Sequence, residues 1–175
     1  MSKRWVGLTL VLALSLAGAP LAAQQQGVEL GADVGAGLMF ADGSTLFSLT
    51  TPTSIRVGVP VGQKMSVEPR FLLNLITGEG ETVTGIDLTP AVMLALGPDA
   101  RRGPYVALLP QLRYTSAFGE SATQFGAGAG VGVRIRKSER FGFRVEGQFM
   151  HNFENDDFFG TNEINALVGF SFFTR

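Results

Sequence analysis

Apolar and polar side chains alternate along this 175-residue chain from Val28 to Arg175, in about eight separate runs. Between Val28 and Leu38, every even-numbered residue is apolar and every odd-numbered residue is polar or Gly. Because successive side chains of a strand point to opposite faces, this pattern predicts a sheet with one apolar and one polar face. The polar face carries charges that the core of a soluble sandwich would exclude. We therefore expect the apolar face to contact lipid and the sheet to close into a barrel.

The alternation predicts eight antiparallel strands, so the fold class is an all-β, up-and-down transmembrane barrel. The predicted strands cover residues 28–40, 54–59, 66–75, 86–96, 105–114, 124–136, 141–149 and 163–172. An even number of strands places both chain ends on one side of the membrane, and strands of about 10 residues suffice to cross it. Pro69, Pro90 and Pro110 fall on the apolar face, where we expect gaps or bulges because proline has no backbone N–H to donate.

The first 23 residues have the composition of a secretory signal peptide. Two basic residues precede an apolar stretch, residues 5–19, and small residues then lead to an expected cleavage between Ala23 and Gln24. A membrane-spanning anchor is the alternative, but the apolar stretch is shorter than the ~20 residues that a spanning helix needs. Residues 24–175 then form one outer-membrane barrel domain.

Charge and composition exclude several kinds of partner. Loss of Lys3 and Arg4 with the signal lowers the count of Lys and Arg from 14 to 12, against 15 Asp and Glu. This acidic balance gives no basis for nucleic acid binding. The chain has no Cys, which excludes disulfides and thiolate metal sites and is compatible with an oxidising compartment.

Charges divide the connections between the predicted strands into two groups. The connections after the first, third, fifth and seventh strands carry only acids: Asp42, Glu79, Glu81, Glu120, Glu154, Asp156 and Asp157. The other connections are mainly basic and carry Lys64, Arg101, Arg102, Lys137 and Arg140, with Asp99 and Glu139. Because a secreted N-terminus starts on the periplasmic side, we expect the acidic connections to be external.

The polar face gathers six acids and six arginines, which are the candidate functional residues. They are Glu29, Asp33, Glu68, Asp87, Glu146 and Glu163, and Arg56, Arg70, Arg113, Arg134, Arg136 and Arg144. The interior of an eight-stranded barrel is just wide enough for side chains to fill, and a buried charge without a partner costs several kcal/mol. We therefore expect a lumen closed by ion pairs. A narrow ion path is the alternative, whereas no spacing of carboxylates supports acid–base catalysis.

Three further features could suggest chemistry but do not support it. The glycines from Gly126 to Gly132 recur every second residue and no helix follows, so they do not form a phosphate-binding loop. We expect them to make room for arginines of neighbouring strands. His151 has no Ser beside it and is interpreted as an interfacial residue. The acidic run 154–157 lacks the Gly and the final Glu of a calcium loop, so we expect no cofactor and no metal.

Aromatic residues are expected to form two belts at the membrane surfaces. The external group is Phe40, Phe47, Tyr114, Phe118, Phe153, Phe158 and Phe159. The periplasmic group is Phe141, Phe143, Phe170, Phe172 and Phe173. A buried core position is the alternative for any one Phe, but it does not explain the grouping.

The last predicted strand alternates Ile164, Ala166, Val168, Phe170 and Phe172 on one face. In this strand and in the whole pattern, the chain resembles the small eight-stranded outer-membrane barrels of the OmpA/OmpX type. The resemblance implies that the barrel-assembly machinery reads these five residues as an assembly signal. The tail from 173 to 175 departs from the family pattern, which usually ends on the aromatic residue.

The sequence favours an integral outer-membrane barrel with a closed lumen and a structural or surface-interaction role, and not an enzyme. We expect a monomer whose partners are outer-membrane lipid and, during biogenesis, the barrel-assembly machinery. A small passive, porin-like channel is the first alternative. A lipocalin-like carrier would instead turn its apolar residues inward. A lipid A-modifying enzyme is the third alternative, but the His-x-Ser pattern of the deacylases is missing at His151.

Overall fold

The computed structural model describes residues 27–41, 44–78, 81–117 and 120–174. Within these ranges the chain forms eight strands and no helix. The strands are β1 (Glu29–Ala41), β2 (Ser44–Pro60), β3 (Met65–Gly78), β4 (Glu81–Ala95), β5 (Gly103–Ala117), β6 (Glu120–Arg136), β7 (Phe141–Asn152) and β8 (Thr161–Phe173). No described segment is a helix long and apolar enough to cross a membrane. The predicted signal peptide, its cleavage site at Ala23 and Gln24, and the connection residues Asp42, Glu79 and Phe118 lie outside the described residues.

The eight strands form one closed antiparallel barrel, which confirms the predicted architecture. Each strand pairs with the next along the chain, and β8 closes the ring by pairing with β1 from Glu29–Phe173 to Phe40–Asn162. Every connection therefore joins neighbouring strands, and both ends of the barrel domain lie at the same end of the barrel. We label that end periplasmic, following the sequence prediction that a secreted chain starts on the periplasmic side.

Apolar and polar side chains lie on opposite faces of the sheet, as the alternation predicts. On β1, Leu30, Val34 and Leu38 are exposed on the outer surface, whereas Glu29 and Asp33 are buried inside. On β7, the even-numbered residues are buried or half-buried and most odd-numbered residues are exposed. The outer face of β8 carries the predicted assembly signal, Ile164, Ala166, Val168, Phe170 and Phe172, and all five residues are exposed. An apolar outer surface around a charged interior suits a bilayer and not water.

The strands are longer than the sequence predicts. They span from 12 residues in β7 to 17 in β2 and β6, whereas about 9–11 tilted residues cross a bilayer. The largest difference is in β2, which begins at Ser44 and not near Ile55. The predicted strand lacks residues 44–53, because Leu46 and Phe47 break the two-residue period. The register between β1 and β2 also shifts there, between Asp33 and Gly35, as a β-bulge does.

The three prolines on the lipid face interrupt the ladders beside them, as expected. Pairing between β4 and β5 stops after Leu88 and resumes at Val92, and Pro90 and Pro110 lie in this gap. Between β2 and β3, Pro69 lies in a similar gap. Proline has no N–H, so a ladder bond is lost at each of these positions.

The turn between β4 and β5 folds across the periplasmic end of the barrel. Ala100 is buried there; its N–H donates to the Gln63 carbonyl at 2.9 Å, and its own carbonyl accepts from Arg134. Gly103 then begins β5 with φ of 89°, a conformation that favours glycine. This turn covers part of the lumen at the periplasmic end.

Phe173 does not belong to the periplasmic aromatic belt, contrary to the sequence prediction. Its side chain is 5% exposed and lies at the inner side of the barrel end, with the guanidinium groups of Arg101 and Arg136 at 5.8 and 5.1 Å from its ring centroid. The reason is parity, because the odd-numbered residues of β8 point inward. Phe141, Phe143, Phe170 and Phe172 do form a group of contacting rings on the outside.

Val131 lies in the middle of β6 on the lipid face and is 64% exposed. Val131→Arg is expected to lower the free energy of unfolding by about 2–4 kcal/mol, because it places a charge near the middle of the bilayer. Urea titration of the barrel in phospholipid vesicles, followed by circular dichroism, measures this change. Val131→Leu is the matched control and should stay within about 0.5 kcal/mol of the parent. Equal stability of the two variants would contradict the assignment of the faces.

Candidate functional site: the charged barrel interior

Glu68 on β3 is the centre of the charged interior. It is fully buried, and its carboxylate accepts hydrogen bonds from four arginines. Oε1 accepts from Arg70 at 2.9 Å and from Arg144 at 2.5 Å. Oε2 accepts from Arg134 at 3.2 Å and from Arg56 at 3.4 Å. The four arginines come from β2, β3, β6 and β7, so one carboxylate joins distant parts of the wall.

Two ion pairs, one of them made by Glu68, cross the whole width of the lumen. Strands β3 and β7 are four positions apart in the ring of eight and therefore face each other. Arg144 on β7 reaches Glu68 on β3, and Arg70 on β3 reaches Glu146 on β7. The second pair is bidentate, at 2.7 and 3.0 Å, which is the strongest geometry for guanidinium and carboxylate.

A second carboxylate, Asp33 on β1, binds two of the same arginines, Arg56 on β2 and Arg144 on β7. It thereby links β1 to strands on both sides of the β1–β8 junction. Arg144 donates to both of its oxygens, at 2.9 and 2.6 Å, and the Arg56 Nε donates at 3.0 Å. Arg56 also donates to Glu29, and through Nη2 to the Ser171 hydroxyl at 2.7 Å. The side chain of Arg56 thus leaves β2, passes β1 and reaches β8.

Eight of the predicted residues form this central cluster, and their formal charges cancel. The four acids are Glu29, Asp33, Glu68 and Glu146, and the four bases are Arg56, Arg70, Arg134 and Arg144. All eight residues are buried. Buried ions cost desolvation free energy, which is offset only by well-placed partners. Each of these eight charges has at least one partner, whereas the buried Nε of Arg134 has no hydrogen-bond acceptor in the described structure.

A second, smaller cluster lies nearer the external end. Arg113 on β5 donates to Asp87 and to Glu163, both at 2.9 Å, and the Asn152 amide donates to Glu163 at 2.8 Å. Two acids share one arginine here, so the cluster carries a formal charge of −1. The Arg113 side chain is 20% exposed, which makes this half of the lumen the more open one. The buried amide oxygens of Asn152 and Gln111 accept no hydrogen bond in the described structure.

Arg136 belongs to neither cluster, which corrects the sequence prediction. It lies at the periplasmic end of β6, where its Nε donates to the Ser138 carbonyl at 3.1 Å and its Nη2 donates to the Glu139 carbonyl at 2.7 Å. Its position in the strand gives the inward parity, but it sits beyond the lumen charges along the barrel. Alternation reveals which face a residue is on, not how far along the barrel it lies.

The interior also contains a group of apolar residues and a tyrosine that sequence reasoning did not single out. Their members are Ala91, Met93, Tyr105, Ala107, Leu109 and Met150. The Tyr105 hydroxyl donates to Glu146 at 2.5 Å, and the Arg134 guanidinium lies 5.1 Å from the Tyr105 ring centroid. The inward position of Tyr105 is readable from the sequence. Its contact with both the charged cluster and the apolar group cannot be read from the sequence.

The alternate glycines of β6 make room inside the barrel, but not for arginines as predicted. An alanine methyl at Gly132 would lie 2.5 Å from the Tyr105 ring, and one at Gly126 would lie 2.5 Å from the Asn152 amide oxygen. A methyl at Gly128 would collide with Met150. It is Gly31 on β1 that faces an arginine, Arg56.

Outside the lumen, His151 lies on the outer face near the external end of β7. Its Nδ1 is 2.9 Å from the Asn162 amide oxygen, and its ring packs edge-on against Phe153 with centroids 5.0 Å apart. In the loop that follows, the Asn155 side chain accepts from the N–H of Asp157 and Phe158. Within the described part of the chain, no group of three or more His, Cys, Asp or Glu could hold a metal ion.

Arg70→Ala should lower the free energy of unfolding by about 3–5 kcal/mol, because it leaves Glu146 and Glu68 buried with one partner fewer. Urea titration in vesicles measures this loss. Arg102→Ala, at an exposed turn residue, is the control and should change stability by less than about 0.5 kcal/mol. In a double-mutant cycle with Glu146→Ala, the two losses should not add. Full additivity would mean that the pair does not interact.

Gly132→Ala should destabilise the barrel by about 1–3 kcal/mol, since the added methyl would press on the Tyr105 ring. Gly147→Ala is a matched control on the adjacent strand: it lies on the outer face, and nothing is within 4 Å of the added methyl. The ratio of folded to unfolded protein on unheated SDS gels, across a urea series, compares the two. A larger loss for Gly147→Ala would show that the glycines do not serve interior packing.

The chain matches the family model described as "Outer membrane protein beta-barrel domain" over residues 8–172. Similar solved structures include Neisserial surface protein A, at 12% identity with a TM-score of 0.63, covering 85% of this chain and 97% of that one. OprG of Pseudomonas aeruginosa is similar at 13% identity with a TM-score of 0.51, covering 84% and 95%.

Ail, the attachment invasion locus protein of Yersinia pestis, is similar at 12% identity with a TM-score of 0.50, covering 84% of this chain and 98% of that one. Among curated proteins, none matches the sequence. At these identities the solved structures establish the fold alone, whereas the family model covers nearly the whole chain. The chain therefore belongs to the outer-membrane protein β-barrel family and is a protein of the outer membrane.

Proposed function

We propose that this protein is a non-enzymatic, structural barrel of the outer membrane whose lumen is closed by ion pairs. The observation that carries the proposal is the contact of Glu68 with four arginines from β2, β3, β6 and β7. Together with the Arg70–Glu146 pair, these contacts connect opposite walls of the lumen at one level. An ion crossing this level would have to separate buried pairs, at about 3–5 kcal/mol for each charge left unpaired.

The external end supports a surface-interaction role for the same barrel. The loop between β7 and β8 exposes Phe153 and Phe159, the latter at 72%, beside the exposed acids Glu154, Asp156 and Asp157. The loop is fixed in place, because the Gln124 amide donates to the carbonyls of both phenylalanines at 3.1 Å. Fixed aromatic side chains at an external surface are suited to contacts with other molecules.

A small passive channel is the second candidate, and the cluster around Arg113 favours it. The partial exposure of Arg113 shows that water can approach the external half of the lumen. In this candidate, the central cluster would have to rearrange and open under an applied voltage.

We further propose that the outward row on β8 serves as the assembly signal. Ile164, Ala166, Val168, Phe170 and Phe172 stand exposed along one strand face, where the barrel-assembly machinery could read them before the barrel closes. Outer-membrane lipid would then cover the same row in the finished monomer.

Conductance in planar bilayers separates the closed barrel from the channel. The parent protein should give no discrete conductance steps, because the central cluster blocks the lumen. The double variant Glu68→Ala and Arg144→Ala removes one acid and one base from the block and should admit ions. Arg102→Ala, outside the lumen, should behave as the parent does. Regular steps from the parent protein would contradict the closed lumen and establish the channel.

A further inference from the structure

We propose that the periplasmic end of the barrel carries a basic collar that binds the phosphate groups of anionic phospholipids in the periplasmic leaflet. The collar consists of six cationic residues: Lys64, Arg101, Arg102, Arg136, Lys137 and Arg140. This proposal requires the outer-membrane barrel, but it holds whether or not the lumen conducts.

The three turns that supply the collar are joined to one another and to the chain ends. The N–H of Ala100 donates to the Gln63 carbonyl at 2.9 Å, which links the second turn to the first. The N–H of Phe173 donates to the Arg140 carbonyl at 3.0 Å, which links the third turn to the end of β8. The backbone of the turns that carry the six charges is therefore held in place around one end, and little backbone ordering is needed when an anion binds.

The collar has a large excess of positive charge. Among the described residues of the three turns, two acids, Asp99 and Glu139, accompany the six cations, which leaves a formal charge of +4 on the turns. Lys64, Arg102 and Arg140 are exposed to the surroundings. Such an excess, at the boundary of a low-dielectric bilayer, attracts anions strongly.

Two collar arginines lie close together under the barrel. Arg101 and Arg136 both lie over the ring of Phe173, and Arg101 donates to the Gly27 carbonyl at 2.7 Å. Burial, and next the charge of Arg136, lower the pKa of Arg101 from its usual value. The charges of Asp99 and Glu29 oppose this lowering. The guanidinium groups of Arg101 and Arg136 still repel each other, and an added phosphate would relieve that repulsion.

The apolar surface directly above the collar identifies a lipid as the occupant. Leu96, Met65 and Phe172 lie at the periplasmic ends of their strands and are exposed on the outer face. A phospholipid whose acyl chains pack against these residues places its phosphate at the level of the collar. Anionic lipids are favoured over zwitterionic ones, which bring an ammonium group along with the phosphate.

The opposite end of the barrel is acidic, which restricts the preference for anionic lipid to one leaflet. Glu154, Asp156 and Asp157 are exposed in the external loop and repel the same headgroups. One end therefore attracts anionic lipid and the other does not, so that the preference belongs to one leaflet.

Mixed-lipid nanodiscs of phosphatidylcholine and phosphatidylglycerol provide the test. Native mass spectrometry of the released barrel measures which lipid stays bound. We expect phosphatidylglycerol to be enriched, and the enrichment to fall with added salt. Each collar charge that is removed should lower the relative affinity by about five-fold.

The test variant combines Lys64→Glu, Arg102→Glu and Arg140→Glu, at exposed positions away from the lumen. Its control combines Glu154→Gln, Asp156→Asn and Asp157→Asn at the other end, where lysines would create a second surface that attracts the same lipid. The first should lose the enrichment and the second should keep it. Should the charge-reversed protein fail to fold, the neutral set Lys64→Gln, Arg102→Gln and Arg140→Gln gives the same comparison.

Three results would overturn the collar. They are equal retention of the two lipids by the parent, enrichment that persists in the folded collar variant, and enrichment that is lost in the external control instead. None of these results bears on bilayer conductance, so a failure of the collar is distinct from a failure of the closed lumen.

Discussion

Guanidinium and carboxylate groups that meet across the lumen are the interaction on which the rest of the barrel depends. A wall that shows only apolar side chains to lipid must turn all of its polar side chains inward, because each residue has only two faces to choose from. In a ring of eight strands these side chains reach one another. Glu68 and Arg144, on opposite strands, touch at 2.5 Å. Stability in the membrane therefore requires that each inward charge lies within reach of a partner of opposite sign.

The other interior side chains pack around this charge cluster. Tyr105 connects Glu146 to the apolar group that contains Met93 and Leu109, so that no sharp boundary separates ions from hydrocarbon. The glycines of β6 keep one wall thin where Tyr105 and Met150 need the space. Large side chains on one strand are thus balanced by missing side chains on another, which keeps the interior filled at a fixed barrel diameter.

The sequence predicts the faces of this barrel well because burial in a membrane imposes a strict two-residue period. It predicts the residues of the lumen for the same reason, and eleven of the twelve lie in the two clusters. It does not predict partners, since register and tilt decide that Asp87 meets Arg113 and that Arg70 meets Glu146. It also misplaces two residues at the barrel end. Arg136 has the inward parity of the lumen residues but lies beyond the lumen charges, and Phe173 points inward and so is not part of the outer aromatic belt. Alternation gives the face of a residue, whereas its height along the barrel axis depends on where each strand ends and on the strand tilt.

Arg56 has a consequence for the order in which the protein can be made. Its guanidinium leaves β2 and binds the Phe170 carbonyl at 3.0 Å and the Ser171 hydroxyl at 2.7 Å, so it spans the junction of the first and last strands. Until β8 has been synthesised and has arrived at β1, this cation lacks part of its coordination. A polypeptide truncated before β8 would leave this buried guanidinium without two of its acceptors, which lowers the stability of the inserted state. Through Arg56, the stability of the barrel in the membrane depends on the presence of its last strand.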